Sequence, residues 1–315
     1  MAFPTIATIA SDLHGSTESS GSGPGDRSGF IRHYGSRDRR LGEIVSVANS
    51  SSSDLLVLAG DNVDSDCADG SKLSNFTSMI NYLDANLNCD FITTIGNHIW
   101  TPTSPPWDGE GDAPSMSDYF DALDASTSEG AKANYYGPDS EAYSFSYTDI
   151  NGMLWVVVLC PVHTFFEQDD PYDYLDWLDT RLQAAASAGT PCCVVTHVHL
   201  WQNSNNSNPN TLRISDTAWS SLQTIFDDAD TLQCVFGGHQ HAGGAWMKRK
   251  GVWFIDVEGS VSMPPNQTDT ANAYMVVTIN PQQIWTPNGM KAQVRVVPYG
   301  LCRVNKPEYD KFIVC

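Results

Sequence analysis

Histidine and aspartate recur in this chain in five short clusters, each following directly on a run of apolar residues. The clusters are Ser11-Asp12-Leu13-His14-Gly15, Gly60-Asp61-Asn62-Val63-Asp64, Gly96-Asn97-His98, Thr196-His197-Val198-His199 and Gly237-Gly238-His239-Gln240-His241. Imidazoles and carboxylates with an amide oxygen and no thiolate make a nitrogen and oxygen environment suited to Mn, Fe, Co or Zn. Asp12, His14, Asp61, Asn97, His197, His239 and His241 are seven candidate ligands. A catalytic metal takes three or four protein ligands and keeps a position for water, so seven point to two ions. When two ions lie ~3.5 to 4 Å apart one carboxylate must bridge them, and such a pair activates water and stabilises an attacked phosphoryl group.

The clusters can meet only if the runs before them are strands whose carboxyl ends share one edge, which is where open α/β sheets bind ligands. Apolar runs of strand length occur at Thr5 to Ala10, Leu55 to Ala59, Phe91 to Ile95, Met153 to Leu159, Cys193 to Thr196, Cys234 to Phe236 and Val252 to Val257. Between several of them the spacing is helical: Leu73, Phe76, Ile80, Leu83 and Leu87; Leu175, Leu178 and Leu182; Trp219, Leu222 and Phe226. After residue 250 the helical spacing disappears, and Ala273 to Ile279 with Ala292 to Val297 read as further strands. The expected class is α/β with an all-β C-terminal portion. No repeat or linker divides the chain, which predicts one domain over 1–315 with a Gly/Ser/Arg-rich loop insertion at about 16–40. Arg27, Arg32, Arg37, Arg39 and Arg40 are five of the ten arginines. They read either as phosphate contacts, Arg32 among them, or as partial neutralisation of an acidic surface and a solvated helix start.

Taken in order, D-x-H, G-D-x-x-D, G-N-H, a lone strand-end His and G-H-x-H resemble the calcineurin-like metallophosphoesterases, over Asp12 to His241. The resemblance implies a four-layer αββα sandwich of two mixed sheets flanked by helices. It implies that Asp12, His14 and His241 bind one metal, that Asn97, His197 and His239 bind the other, and that Asp61 bridges them. It also implies hydrolysis by a metal-bridging hydroxide, with His98 contacting the phosphate and assisting the leaving group and Asp64 orienting His98. Two positions depart from the family pattern. Ile99 follows Gly96-Asn97-His98 where the family carries Asp or Glu, and His199 lies two residues from His197. Of that pair His197 is favoured as the ligand because it directly follows the Val194-Val195-Thr196 strand end, and His199 is left to touch substrate or pack. Asp64 stands where purple acid phosphatases carry Tyr, which argues against that variant.

Around these residues Trp100, Trp107, Phe165, Phe166 and Trp201 either floor a pocket for a base or aryl leaving group or pack their loops down. Trp100, Trp201, His199 and Arg32 are the candidate substrate contacts. His33 and His163 carry no motif.

The net charge of −20 repels polyanions and argues against a large nucleic-acid substrate. It favours a small diester monoanion over a dianionic monoester, so the leading expectation is a phosphodiesterase acting on a cyclic nucleotide or other small diester. A phosphomonoesterase or nucleoside-diphosphate hydrolase on the same site is the alternative, and a catalytically silent binding scaffold the non-enzyme one. The run Met153 to Val162 is about half the ~20 residues that cross a bilayer. The start MAFPTIATIASD lacks the features of a secretory signal. The expectation is therefore a soluble protein with no membrane partner, in a compartment left open. The eight cysteines contain no C-x-x-C pair. Cys160, Cys192, Cys193 and Cys234 read as core residues, while Cys67 with Cys89, or Cys302 with Cys315, are possible disulfides. Asn49, Asn75, Asn205 and Asn266 head sequons that permit glycosylation.

Overall fold

The computed structural model describes residues 5–13, 39–63, 69–94, 96, 118–119, 122–123, 133–136, 144–148, 155–159, 174–198, 216–239, 246–257, 274–286, 289–299 and 311–314. Its first half runs β1 (Thr5–Ala10), α1 (Arg39–Ser50), β2 (Leu55–Leu58), α2 (Asp69–Asn86), β3 (Asp90–Thr93), β4 (Ala133–Tyr136), β5 (Ser144–Thr148) and β6 (Trp155–Leu159). The second half continues with α3 (Tyr174–Ala188), β7 (Cys192–Val198), α4 (Asp216–Asp228), β8 (Leu232–Gly238), β9 (Trp246–Arg249), β10 (Val252–Asp256), β11 (Tyr274–Thr286), β12 (Gly289–Tyr299) and β13 (Lys311–Val314).

The strands form two sheets, ordered β13-β12-β11-β1-β2-β3 and β4-β5-β6-β7-β8-β10-β9. In the first sheet β1, β2 and β3 are parallel, with α1 and α2 in the crossovers, and β11 closes antiparallel onto β1. In the second, β6, β7, β8 and β10 are parallel, with α3 and α4 between the first three, and antiparallel strands at both edges. Each sheet therefore carries βαβ units whose strand ends point one way, which a functional edge requires.

Side-chain alternation along the second sheet sets the layers. Cys193 and Val195 of β7, Cys234 and Phe236 of β8 and Ile255 and Val257 at the end of β10 join one core with Ala7, Ile9, Leu55 and Val57 of the first sheet. Cys192, Val194, Leu232, Val235, Val252 and Phe254 turn the other way and pack on Leu178 and Leu182 of α3 and on Trp219, Leu222 and Phe226 of α4. Strands buried on both faces read as continuous apolar runs, and Leu55-Leu56-Val57-Leu58 is such a strand. The result is two facing mixed sheets with helices outside. Among the described residues no helix is long and apolar enough to cross a membrane.

Helix α1 starts at Arg39, so the insertion expected at about 16–40 gives way to helix two residues early. Leu41, Ile44, Val45 and Ala48 are all buried along it, at the spacing of a single helical face. The helix ends in a Schellman turn, with Ser52 left-handed at φ 54° and the Ser53 N–H donating to Ala48 O at 2.9 Å. Gly189 at φ 67° and Thr190, whose N–H donates to Ala185 O at 3.1 Å, end α3 in the same way. Cys89 is a free cysteine that packs against the core, and burial with Asp90 and Asp54 holds it protonated; Cys67, its possible disulfide partner, lies outside the described residues. Asn75 is buried in α2, which closes its sequon to a glycan.

Candidate metal centre

Three of the candidate ligands sit at bends that an L-residue rarely adopts. Asp12 follows β1 at φ 53°, Asp61 follows β2 at φ 48° and His239 follows β8 at φ 72°. Such left-handed backbone costs about 1–3 kcal/mol per non-glycine residue and collects at functional sites; Asp and His tolerate it better than most. Among the other described non-glycine residues only Ser52 and Lys250 share it, and each lies just beyond an element at a turn.

His197 is within β7 rather than after it, since Val198 continues the strand. The expectation that it follows a strand end is corrected accordingly. Pairing between β7 and β8 slips there: Val195 faces Phe236 and Val198 faces Gly238, so three steps on β7 match two on β8. A bulge of this kind re-aims a side chain. His197 shares parity with Cys193 and Val195 and crosses to the first sheet. Its Nδ1–H donates to Ala59 O at 2.9 Å, and Nε2 stands 3.0 Å from Asp61 Oδ2. The Ala59 bond commits Nδ1 as a donor, so Nε2 offers its lone pair to a cation in the neutral ring and donates to Asp61 in the protonated one.

Asp61, His197 and His239 each bring one ligand atom to within 4.8 Å of the others. Asp12 is tied to the same group because the His239 N–H donates to Asp12 Oδ2 at 3.0 Å. The rings of His197 and His239 meet edge-on, with centroids 5.3 Å apart. Asp12, Asp61 and His197 are buried. Burial works against a charged His197, yet the Asp61 carboxylate, with smaller help from Asp12 and the Ala59 carbonyl, raises its pKa to about 9. The gap between Asp61 and His197 therefore draws positive charge, and carboxylates with imidazoles and no thiolate fit Mn, Fe, Co or Zn.

Small residues make this crowding possible. A Cβ at Gly60, itself at φ 87°, would stand 2.6 Å from His197 Nδ1; one at Gly96 would overlap Asp61, and one at Gly238 would overlap Ser11. These glycines immediately precede Asp61, Asn97 and His239, and Ser11 immediately precedes Asp12. The motifs include these glycines without showing that each makes room for a side chain from elsewhere in the fold. The signal was present, since a small residue precedes four of the seven candidate ligands.

Four of the seven candidates, Asp12, Asp61, His197 and His239, are thus brought together. His14, Asn97 and His241 lie outside the described residues, as do His98, Asp64, His199, Arg32, Trp100 and Trp201.

The profile of the calcineurin-like phosphoesterases matches residues 7–243. The chain belongs to this family. Calcineurin-like phosphoesterases are metal-dependent hydrolases of phosphoesters built on dinuclear metal centres, and the seam between the two sheets is where this member gathers its candidate ligand residues. The fold is also that of solved members. A dimetal phosphatase from Danio rerio superposes with a TM-score of 0.59 at 14% identity, covering 87% of this chain and 95% of that one. A purple acid phosphatase from yellow lupin (Lupinus luteus) seeds superposes with a TM-score of 0.52 at 13% identity, covering 94% of this chain and 52% of that one. This calcineurin-like phosphoesterase thus spans about half the length of the lupin protein. No curated protein matches the chain in sequence.

Proposed function

We propose that the chain is a dinuclear phosphodiesterase of small substrates, a cyclic nucleotide or another small diester. The observation that carries the reading is the meeting of Asp61 with His197 and His239 across two sheets, with Asp12 bonded to the backbone of His239. Asp12, His14 and His241 would hold one ion and Asn97, His197 and His239 the other, with Asp61 between them. Two ions held there would supply Lewis acidity and the acidification of a bound water. The protein's part is to hold the carboxylates and imidazoles in fixed positions. His98 would donate a proton to the leaving oxygen, held by Asp64.

The preference for a diester follows from charge. A chain of net charge −20 repels a dianionic monoester more than a diester monoanion. Two phosphatases share the fold, which keeps a phosphomonoesterase or nucleoside-diphosphate hydrolase as the second reading. The deciding experiment is a panel of bis-aryl phosphate, aryl monophosphate, cyclic nucleotides and nucleoside diphosphates, each assayed with Mn, Zn, Fe and Co. Diester turnover above monoester turnover supports the reading, and the reverse order replaces it with the second. A metal-free, inactive parent would sink both.

A further inference from the structure

We propose that Ser11 is a positioning residue of the metal centre, holding the Asp12 carboxylate by one oxygen so that the other is presented to the cation. The inference rests on the reading of Asp12 as a ligand. Ser11 is buried, and its Oγ lies 2.6 Å from Asp12 Oδ2 and 2.9 Å from Ala59 O. Both atoms are acceptors, so the single hydroxyl proton is shared between them, and the shorter, charge-assisted bond to the carboxylate takes the larger part. The same Asp12 Oδ2 accepts the His239 N–H at 3.0 Å. Two donors on Oδ2 fix the orientation of the carboxylate and compete with a cation at that oxygen.

Ala59 O, the other acceptor of Ser11, also accepts from His197 Nδ1. Ser11 therefore stands one hydrogen bond from Asp12, assigned above to the first ion, and two from His197, assigned to the second. Its place exists because residue 238 is glycine: an added Cβ there would overlap Ser11 Oγ and come within 2.9 Å of Asp12 Oδ2. The glycine before His239 on one sheet thus accommodates the serine before Asp12 on the other. Partners of metal ligands typically change metal affinity about 10–100-fold when removed, and Ser11 fits that role for Asp12.

The test uses the full chain, stripped with a chelator and titrated with Mn(II) by calorimetry, as parent and as Ser11→Ala. Weakening of at least one Mn(II) affinity by about 10–100-fold is expected. The thermal midpoint separates positioning from packing. The metal-free midpoint of Ser11→Ala should fall modestly, since a buried donor is lost, while the rise produced by Mn(II) shrinks in addition. Unchanged Mn(II) affinity, or a midpoint lowered equally with and without Mn(II), overturns the proposal. If Ser11→Ala does not fold, Ser11→Cys fills similar space with a weaker donor and is read by the same criteria. A parent that binds no Mn(II) overturns instead the assignment of Asp12 as a ligand.

Discussion

Asp61 Oδ2 and His197 Nε2 face each other at 3.0 Å across the seam between the two sheets, both side chains buried. One comes from the turn after β2, the other from within β7, and the His197–Ala59 and Asp12–His239 bonds cross the same seam beside them.

Removing the carboxylate tests that relationship directly. Loss of a partner of a metal ligand costs about 10–100-fold in affinity or activity, so loss of a ligand should cost more. Asp61→Ala should retain less than about 1% of parental turnover on a chromogenic diester, with metal content falling in parallel by elemental analysis. Parental metal content and turnover in this variant would remove Asp61 from the centre.

A pair of glycines separates backbone strain from crowding. Gly60 and Gly189 are both left-handed, at φ 87° and 67°, but a Cβ at 60 meets the His197 ring while one at 189 meets nothing within 4 Å. Gly189→Ala should lose about 1–2 kcal/mol in denaturant unfolding, the left-handed penalty alone, and keep its activity. Gly60→Ala should lose more stability than this and also metal. Equal behaviour of the two variants in unfolding and metal analysis would contradict the crowding at His197.

Phe254 offers a stability test remote from the centre. Its ring is met edge-on by Trp219 and Phe226, with centroids 5.8 and 5.6 Å away, beneath helix α4. Phe254→Ala should cost about 3–5 kcal/mol in urea unfolding. Turnover per folded molecule should be unchanged, because Phe254 points away from the inter-sheet seam.

Cys89 and Cys192 should be inert in the native state. Burial, then Asp90 and Asp54, push the Cys89 thiol up to about 12, and burial followed by Cys193 raises Cys192 well above its ordinary value. Thiolate is the reactive form, so iodoacetamide at pH 8 should label neither residue until urea is added. The sign for stability follows. The unfolded thiol ionises near 9 and folded Cys89 near 12, so this contribution is present below pH 9 and lost as pH rises toward 12. Cys89→Ala should flatten that part of the stability profile, and rapid native labelling of Cys89 would contradict it.

Much of the candidate site was legible because the candidate ligands close apolar runs. Asp12, Asp61 and His239 each stand within three residues of a buried strand, and polar residues gathered at such places stand out against the run before them. What could not be read was three-dimensional. That Gly238 makes room for Ser11, or that Ala59 O receives both Ser11 and His197, joins residues at least 48 apart in the chain. Helix α1 went unread for a different reason: five arginines and a Gly/Ser stretch drew attention from the apolar face of Leu41, Ile44, Val45 and Ala48. Strands β4 and β9 are only four residues long, and Ala-Asn-Tyr-Tyr and Trp-Met-Lys-Arg lack an apolar run; their pairing with β5 and β10 makes them strands.

The left-handed bends at Asp12 and Asp61 also restrict which descendants of this chain are accessible by single steps. Few residues occupy such backbone cheaply: glycine, asparagine and aspartate, with histidine next. A lineage that drifts away from hydrolysis is thereby channelled toward Asn or Gly at 12 and 61 rather than toward the full alphabet. A relative carrying the same bends with amide or glycine there would keep the backbone of the site without its two carboxylates.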